Sequence, residues 1–431
     1  MINKFLPINN KKIGILGAGK SGLAAAKLAH NLGASVFLSD IDSKNTVMPD
    51  GIEYEFGKHS KEILKSDIII KSPGINNQST IIKKIIDLSI PIISEIEFAS
   101  WFTNGFIIAL TGTNGKSTTV KLINSILKDY GFFTLLGGNI GIPFSKNVLD
   151  EISNGTRKKI FHILEISSFQ LEHIYHFKPH ISIILNIAPD HLDRYESFEE
   201  YFNQKLKILI NQDKDCYALI NQNHIDISDE DYDVKIIRFD YLKNQKISIK
   251  NPELAGNHNY ENILAASIVS KLCGVTNKSM IETINHFKSL SHRLEKIISI
   301  SGINYYNDSK ATNLSATIAA IETIKGNIIL ILGGIDKNND DFTNLIQYKN
   351  KIKNILLYGD SRDKIKKQIN SFFDIFTFHQ FKNAIQKSIE LSKPNDNVLL
   401  SPACASFDQF NNYEERGDYF RKIISNYYAT E

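Results

Sequence analysis

The chain has 431 residues, of which 42% are hydrophobic and 23% charged, and its formal net charge is +3. This length exceeds what one hydrophobic core usually serves, and it favours two or three domains. Because the charge balance is nearly neutral, it gives no indication of a nucleic-acid partner or of an anionic membrane surface.

The location of the protein is indicated by what the sequence lacks. No apolar run approaches the ~20 residues that cross a bilayer, and the first residues lack the apolar core of a signal peptide. The three cysteines, Cys216, Cys273 and Cys404, are far apart and outside any metal-like spacing, which is typical of free thiols in a reducing compartment. We therefore expect a cytoplasmic protein, and we expect it to be a monomer.

Short β-branched runs alternate with helical patterns along the whole chain, which predicts the α/β class with mostly parallel sheets. The runs form three series: KIGILG, SVFLSD and DIIIKSPG; GFIIALTG, IFHILE and HISIILNIA; INYYND, NIILILGG, NILLYGD and NVLLSPA. We predict three domains, at 1–94, 95–289 and 290–431. The first and third should be Rossmann-like, and ligands in such folds bind beyond the carboxyl ends of the strands.

The first series contains the pattern G-x-G-x-x-G at Gly17, Gly19 and Gly22, and Asp40 ends the next strand. In dinucleotide-binding folds such glycines make room for a pyrophosphate, and the acid binds a ribose hydroxyl. A NAD-dependent dehydrogenase is therefore one hypothesis. The same fingerprint fits any diphosphate, including that of a UDP-sugar.

The second series begins with a strand, the segment TGTNGKSTT and a helical pattern. Gly112 and Gly115 would let backbone N–H groups surround a phosphate, Lys116 would reach the β- and γ-phosphates, and the Ser117 hydroxyl would bind Mg²⁺. The usual first glycine is replaced by Leu110, so this is a shortened variant of the P-loop. An ordinary strand–turn–helix is the alternative.

Two further sets of polar residues follow apolar strands of this domain. Glu165 ends IFHILE, where a carboxylate is costly unless it binds something. Asp190, His191 and Asp193 follow HISIILNIA. They would hold a second metal or orient a substrate, and the alternative is that they are solvated or cap the next helix. On composition alone, Lys205 in the next helix is a surface lysine.

In the third series, NDSKATN, GGIDKNNDDF and SPACASFDQF each follow a strand. Lys310, Lys337 and the Ser406 hydroxyl would then lie on neighbouring loops, where two ammonium groups suit a small dicarboxylate. Solvated lysines and a helix-capping serine are the alternative.

Taken together, TGTNGKST, EISSFQLE, DHLDRY, GNHNYENILAA, HRLE, NDSKATN and SPACASFDQF resemble the Mur ligase family of peptidoglycan biosynthesis over nearly the whole chain. The DNPR motif of members that add diaminopimelate or lysine is absent, and SPACASFDQF is similar to the glutamate-adding branch. The resemblance implies that ATP phosphorylates the carboxylate of UDP-N-acetylmuramoyl-L-alanine, and that the amine of D-glutamate then attacks. Mg²⁺ at two sites, with CO₂ bound as a lysine carbamate, is implied as well.

The resemblance also implies roles for individual residues. The catalytic residues would be Lys116, His191 and Lys205, with Lys205 as the carbamylated lysine. Ser117, Glu165, His191 and Lys205 would hold the two Mg²⁺ ions. ATP would contact Gly112, Thr113, Asn114, Gly115, Lys116, Ser117, Thr118, Asn259, Asn262, Arg293 and Asp308.

The two other substrates would be bound by residues of all three domains. Lys20, Ser21 and Ser72 would bind the UDP moiety, and Asn139 the muramoyl-peptide end. Lys310, Thr312, Lys337, Ser406, Phe407 and Tyr413 would form the D-glutamate pocket. Better-studied members of the family have threonine and arginine after the acid of the second strand, whereas Asp40 is followed by Ile41 and Asp42. Contacts with uracil or with the diphosphate should therefore differ there.

Three other functions remain open at this point. Folylpolyglutamate synthase has a related ATP loop, but it lacks a UDP-binding first domain. A dehydrogenase would use the first fingerprint, but it has no use for a separate ATP loop. The third alternative is a non-catalytic nucleotide switch.

Overall fold

The structure, a computed structural model, describes residues 8–42, 48–155, 159–190, 194–240, 250–251, 254, 256–288, 290–337 and 340–429, with the backbone alone for 257 and 258. The described residues contain three β-sheets, and helices connect their strands. The predicted α/β class with three domains is confirmed.

The first sheet is parallel throughout and has the strand order β3-β2-β1-β4-β5. Its strands are β1 Lys12–Leu16, β2 Ser35–Asp40, β3 Glu53–Phe56, β4 Ile68–Lys71 and β5 Ile92–Ser94. The helices of this part are α1 Lys20–Asn31, α2 Thr80–Asp87 and α3 Glu95–Ser100. The chain leaves β1 towards β2 on one side and later reaches β4 on the other. The carboxyl ends of β1 and β4 therefore border the kind of crevice in which doubly wound sheets bind ligands.

The second sheet has six parallel strands in the order β11-β10-β9-β6-β8-β7. They are β6 Phe106–Thr111, β7 Phe133–Gly138, β8 Ile160–Glu165, β9 Ile181–Ile184, β10 Tyr217–Asn221 and β11 Lys235–Phe239. The helices are α4 Lys116–Asp129, α5 Phe144–Asn154, α6 Phe198–Leu206, α7 Asn257–Leu272 and α8 Asn277–His286. Inner strands such as β8 are buried along their whole length, as expected for a parallel sheet that is covered on both faces.

The third sheet has the order β12-β13-β17-β14-β15-β16, in which β12 and β13 are antiparallel and the other pairs parallel. Its strands are β12 Glu295–Ile300, β13 Ile303–Asn307, β14 Ile328–Gly333, β15 Ile352–Tyr358, β16 Ile375–Phe378 and β17 Asn397–Leu400. The helices are α9 Leu314–Thr323, α10 Arg362–Ile369, α11 Phe381–Leu391 and α12 Tyr413–Ala429. Successive residues of β14 enter two separate hydrophobic clusters, one on each face of the sheet.

The chain divides into two compact units. The first comprises Met1–Ile187, Ser197–Ile249 and Glu261–Asn285, and the second Ala188–Glu196, Lys250–Tyr260 and His286–Glu431, each considered over its described residues. The first two sheets belong to the first unit and the third sheet to the second. We retain the domain boundaries after residues 94 and 289 as a proposal. Among the described helices, none combines the length and apolarity needed to span a bilayer.

Candidate active site

The loop 112–115 connects β6 to the 14-residue helix α4. Gly115 immediately precedes the helix with φ of +81°, in the left-handed region that favours glycine. A Cβ atom there would overlap Oδ1 of Asn262. The first N–H groups of a helix lack intrahelical acceptors and favour an anion. The loop therefore has the backbone geometry of a phosphate site.

Asn186, which follows β9, holds this loop in place. Its backbone carbonyl accepts a hydrogen bond from Thr113 N at 2.8 Å, and its side-chain Oδ1 accepts one from Asn114 N, also at 2.8 Å. Its Nδ2 donates to Asn114 O at 3.1 Å. Asn186 was not predicted from the sequence, although a polar residue two positions after the strand β9, which pairs with β6, was a usable signal.

Lys116 folds back over the loop. Its Nζ donates to the carbonyl oxygens of Gly112 at 2.8 Å and of Thr113 at 2.7 Å. Thr118 in the same helical turn is buried. The ammonium group of Lys116 thus lies over the loop where the sequence predicted a phosphate.

Ser117 and Glu165 lie together beside the phosphate loop. Ser117 Oγ donates to Glu165 Oε2 at 2.5 Å, and the two residues are 4% and 2% exposed. Asn139 Nδ2 donates to Glu165 Oε1 at 2.9 Å, and Asn139 N to the carbonyl oxygen of Glu165 at 2.7 Å. Hydroxyl and carboxylate oxygens are the ligands that Mg²⁺ prefers, and a buried carboxylate needs such compensation. These side chains therefore fit the first predicted metal site.

Lys205 is only 2% exposed, so its interpretation as a surface lysine on composition alone was wrong. Its Nζ donates to Gly112 O at 2.9 Å and lies 4.6 Å from the ring centroid of Tyr201. Tyr201 in turn has its hydroxyl 3.2 Å from Thr113 Oγ1. The helix α6 therefore places this lysine directly against the phosphate loop.

The second predicted metal site is only partly described. His191 and Asp193 lie outside the described residues. Among the residues that are described, no group of three or more His, Cys, Asp or Glu side chains is arranged to hold a metal ion.

The two asparagines predicted on the adenine side lie near the start of α7. Asn262 is buried, and its Oδ1 accepts a hydrogen bond from Thr119 Oγ1 at 3.1 Å, so it contacts the helix that follows the phosphate loop. Asn259 N donates to Gly256 O at 3.0 Å in the first turn.

The glycine fingerprint of the first sheet is held by a buried acid. Asp40 Oδ2 accepts from Ala18 N at 2.6 Å and Oδ1 from Asp42 N at 2.9 Å. In this structure the carboxylate thus fixes the loop backbone. Gly22 packs so closely against Gly17 that a Cβ on Gly22 would overlap the carbonyl oxygen of Gly17.

The remaining residues predicted for the UDP moiety border the same crevice. Ser72, directly after β4, donates through Oγ to Gly17 O at 3.3 Å. Lys20 and Ser21 are the first two residues of α1, where N–H groups point towards a bound anion. The structure therefore brings these three residues to the ends of the adjacent strands β1 and β4.

The loops after β14 and β17 of the third sheet are paired. Ile335 and Ala405 exchange two backbone hydrogen bonds of 2.9 Å. Beyond this pair, Lys337 Nζ lies 4.7 Å from the centroid of the Phe407 ring, and Lys310 Nζ, after β13, lies 3.8 Å from that of Tyr413. Each predicted lysine therefore contacts an aromatic residue predicted for the same pocket. Ser406 is buried in this loop and Thr312 is half-buried.

Asp308 follows β13 and is 8% exposed. It accepts from Ser401 Oγ at 2.8 Å and from Leu294 N at 3.0 Å. Burial raises the pKa of Asp308 to about 7, although these hydrogen bonds and the Arg293 charge oppose the shift. Arg293 and Asp308, both predicted near the nucleotide, thus interact electrostatically.

Arg416, the fourth residue of α12, was not predicted from the sequence. It is fully buried, and its guanidinium donates to Ser309 Oγ and O, to Cys404 O and to Tyr358 Oη at distances of 2.8 to 3.2 Å. It therefore joins the ends of β13, β15 and β17. An arginine that follows two glutamates in a helix gave no sequence signal of burial.

These features define a class of protein: a three-domain α/β enzyme built on an ATP-type phosphate loop with a buried carboxylate beside it. Family models match three stretches of the chain, namely the Mur ligase MurD-like N-terminal domain at 11–94, the Mur ligase middle domain at 110–239 and the Mur ligase glutamate ligase domain at 292–404. The chain belongs to the Mur ligase family.

Several relatives share the name UDP-N-acetylmuramoylalanine–D-glutamate ligase. The chain is 39% identical to the protein of Christiangramia forsetii, with 96% of this chain and 99% of the relative covered. Identity to the protein of Caldanaerobacter subterraneus is 36%, with 97% of this chain and 99% of the relative covered. Identity to the protein of Salinibacter ruber is 34%, with 95% of this chain and 96% of the relative covered.

Solved structures support the fold. The UDP-N-acetylmuramate–alanine ligase of Thermotoga maritima matches with a TM-score of 0.59 and 16% identity, covering 98% of this chain and 100% of that one. The MurF ligase of the same organism, solved in complex with ADP, matches with a TM-score of 0.60 and 14% identity, covering 97% and 96%. At these identities the comparison concerns the fold alone.

Proposed function

We propose that this Mur ligase joins D-glutamate to UDP-N-acetylmuramoyl-L-alanine with the consumption of ATP, in the synthesis of peptidoglycan precursors. The observation that carries the proposal is the identity of 34% to 39%, over at least 95% of the chain, to ligases named for this reaction. The buried Ser117–Glu165 pair beside the phosphate loop supports it, because the reaction needs a phosphoryl-transfer site.

The chemistry follows from the weakness of a carboxylate as an electrophile. An oxygen of the alanine carboxylate attacks the γ-phosphorus of ATP, and the bond from that phosphorus to the β,γ-bridging oxygen breaks, which releases ADP. The amine of D-glutamate then attacks the carbonyl carbon of the acyl phosphate. A tetrahedral intermediate loses phosphate and a proton, and the amide remains.

The phosphoryl group would be held by residues of the first unit. We assign the ATP phosphates to the loop residues Gly112, Thr113, Asn114 and Gly115 and to the start of α4. Lys116 would leave the carbonyl groups that it now contacts and bind the γ-phosphate, where a positive charge stabilises the transferring group. Ser117 and Glu165 would hold Mg²⁺, which screens the repulsion between the carboxylate and the γ-phosphate when bound.

Lys205 is our candidate for carbamylation. Its location supports this role, because the side chain is buried and its Nζ is within hydrogen-bonding distance of the phosphate loop. A carboxylate-like group at this amine would suit a second Mg²⁺, for which we also propose His191. Asn259, Asn262, Arg293 and Asp308 are proposed contacts of the nucleotide.

The UDP moiety would bind where β1 and β4 end, at Lys20, Ser21 and Ser72. We assign the muramoyl-peptide end to Asn139. The hydrogen bond from Asn139 to Glu165 supports this assignment, since it places the proposed substrate contact next to the proposed metal acid. The acceptor carboxylate would thus be presented to the phosphate loop.

D-glutamate would bind at the paired loops of the third sheet. Lys310 and Lys337 would neutralise its two carboxylates, and Thr312, Ser406, Phe407 and Tyr413 would complete the pocket. The aromatic rings against the two ammonium groups support this proposal, because they hold the charges in place.

The test is a reconstituted reaction. Purified protein with ATP, Mg²⁺, UDP-N-acetylmuramoyl-L-alanine and D-glutamate should release phosphate and yield the dipeptide product in a mass spectrum. Equal phosphate release without D-glutamate would contradict the proposal. Turnover only with L-glutamate and a folate would also contradict it and would indicate a folylpolyglutamate synthase. A nicotinamide titration showing tight binding would instead revive the dehydrogenase hypothesis.

We also propose a cytoplasmic location, where the nucleotide substrates are available. The three cysteines are unpaired thiols, and two of them are buried, which agrees with a reducing compartment. We propose a monomer, which a molar mass from light scattering would test.

A further inference from the structure

A buried ion pair connects the first sheet to the second within the first unit. Lys71, the last residue of β4, donates through Nζ to Glu172 Oε2 at 2.7 Å, and the two side chains are 2% and 8% exposed. The same ammonium group donates to Ile75 O at 2.9 Å. Lys71 therefore holds both its own loop and a residue of the next domain.

The loop that contains this lysine is the one proposed to bind the UDP moiety. Ser72 follows Lys71 and contacts Gly17 O of the glycine fingerprint. Farther along, Asn77 Nδ2 donates to Glu172 Oε2 at 3.1 Å. Asn77 Oδ1 lies 3.1 Å from His173 Nε2, and both ends of the loop 71–77 are thus joined to residues 172 and 173.

On the other side of the pair, Glu172 belongs to the segment between β8 and β9. This segment begins directly after Glu165, the proposed metal acid. It also contacts α6, because Gln204 Nε2, next to Lys205, donates to Ser168 O at 3.4 Å. Glu172 is therefore connected through one short segment to both sides of the proposed phosphoryl-transfer site.

The energetics of this pair favour a positioning role over a stabilising one. Removing two charges from water costs about as much as their attraction returns, so replacing a buried pair by apolar residues is often neutral. A backbone hydrogen bond also crosses this junction, because Ser94 N, at the end of β5, donates to His173 O at 2.9 Å.

We propose that the Lys71–Glu172 pair positions the UDP-binding loop relative to the phosphate loop, so that one substrate can be bound at both of its ends. The inference rests on the proposed function, in which the UDP end and the peptide end of that substrate contact different sheets. A rigid connection makes binding of the second end effectively intramolecular. Lys71 and Glu172 are positioning residues in this account, and neither needs to touch the substrate.

The experiment compares the binding affinity for the whole substrate, UDP-N-acetylmuramoyl-L-alanine, with that for its fragment UDP. In the double variant Lys71→Met/Glu172→Met, calorimetry should give the parent affinity for UDP, which contacts the first sheet alone. The affinity for UDP-N-acetylmuramoyl-L-alanine should fall about tenfold, while the KM for ATP stays at the parent value. Asn77→Ala should likewise lower the affinity for UDP-N-acetylmuramoyl-L-alanine, to a smaller extent, and leave the affinity for UDP unchanged. It provides the test if the double variant does not fold.

The control is the exposed pair Lys65–Glu62, whose side chains are 61% and 49% exposed. Lys65→Met/Glu62→Met should leave every affinity unchanged. The inference is overturned if the buried double variant binds the whole substrate like the parent, or if UDP and the whole substrate weaken equally. Failure of the parent protein to form the D-glutamate product would instead overturn the proposed function.

Discussion

Lys116 and Lys205 both donate a hydrogen bond to the carbonyl oxygen of Gly112. Two side chains from different helices thus meet at one atom of the phosphate loop. Such a concentration of cationic side chains at a helix N-terminus suits a highly charged anion. The two lysines differ in their proposed roles, and this difference can be tested at the level of single residues.

Replacing Lys205 by alanine should reduce the rate of phosphate release at least about 100-fold, because a ligand of the second metal would be lost. A short-chain carboxylate such as acetate should restore part of the rate by occupying the vacated place. Steady-state kinetics with and without acetate provide the measurement.

The Lys205→Arg variant distinguishes a carbamylated lysine from a lysine that acts only through its positive charge. Arginine keeps the positive charge and can donate to Gly112 O, but it does not form a carbamate. We expect the arginine variant to be as inactive as the alanine variant. Parent-like activity of Lys205→Arg would show that the side chain acts as a cation and that the carbamate proposal is wrong.

Some residues of the candidate site were predictable from the sequence because they are neighbours along the chain, whereas others come together only through folding. Lys116 and Ser117 are the first two residues of α4, directly after the phosphate loop, so their positions along the chain fix where they lie relative to that loop. Asn186 and Arg416 act through contacts with segments that are distant in sequence. Lys205 became recognisable as a site residue only through the family resemblance.

At the scale of structural elements, the connection between β6 and α4 depends on Gly115. A Cβ atom would collide with the side chain of Asn262, in addition to the strain of a positive φ. Gly115→Ala should therefore displace the loop and abolish measurable phosphate release. The matched control is Gly131→Ala, since Gly131 follows the same helix with φ of +99° and a Cβ added there would have no neighbouring atom within 4 Å.

Gly131→Ala should cost roughly 1 kcal/mol of stability from backbone strain and leave activity at the parent level. Urea unfolding and phosphate release, measured on both variants, test the comparison. Equal activity of the two variants would show that the Asn262 contact does not constrain the loop.

The start of α3 contains a buried acid that should make stability depend on pH. Burial raises the pKa of Glu95 to about 7 from its ordinary 4.5, while the backbone N–H of Ser145, 2.5 Å away, opposes the shift. The folded state thus binds this proton more tightly than the unfolded state. The stability contribution of Glu95 is complete below about pH 4.5 and is lost as the pH rises through about 7.

The Glu95→Gln variant should show a weaker decrease of the thermal midpoint between about pH 5 and about pH 8 than the parent protein. Each unit of pKa shift corresponds to about 1.4 kcal/mol, so the difference should be measurable. Identical pH dependence in the two proteins would mean that Glu95 has an ordinary pKa.

Most of the strands that were predicted are buried on both faces, although β13 alternates between buried and half-buried residues. β6, β8 and β14 are continuous apolar runs, so their sequences alone identify them. Strands outside the predicted series include β3, β7, β11 and β16, which are edge strands of their sheets. Edge strands are partly exposed, as in the EYEF sequence of β3, and their mixed composition resembles that of loops.

For the whole molecule, the two chemical events of the proposed reaction depend on different sets of residues. Lys116 and Glu165, assigned to phosphoryl transfer, belong to the first unit, whereas the second unit contains the proposed D-glutamate pocket together with the proposed nucleotide contacts Arg293 and Asp308. Acyl phosphate formation and amine capture are separate chemical events. A variant of the D-glutamate pocket alone should therefore affect amine capture and leave acyl phosphate formation measurable.

Lys337→Ala should prevent amide formation and still permit acyl phosphate formation, because it removes a charge for D-glutamate and leaves the phosphate loop intact. Borohydride reduction traps an acyl phosphate as an alcohol, which mass spectrometry detects on the UDP-linked substrate. Lys116→Ala should abolish both the trapped alcohol and the amide. Lys382→Ala, at an exposed lysine of α11, should behave like the parent. Loss of the trapped alcohol in Lys337→Ala would contradict this separation, because Lys337 would then be required for phosphoryl transfer itself.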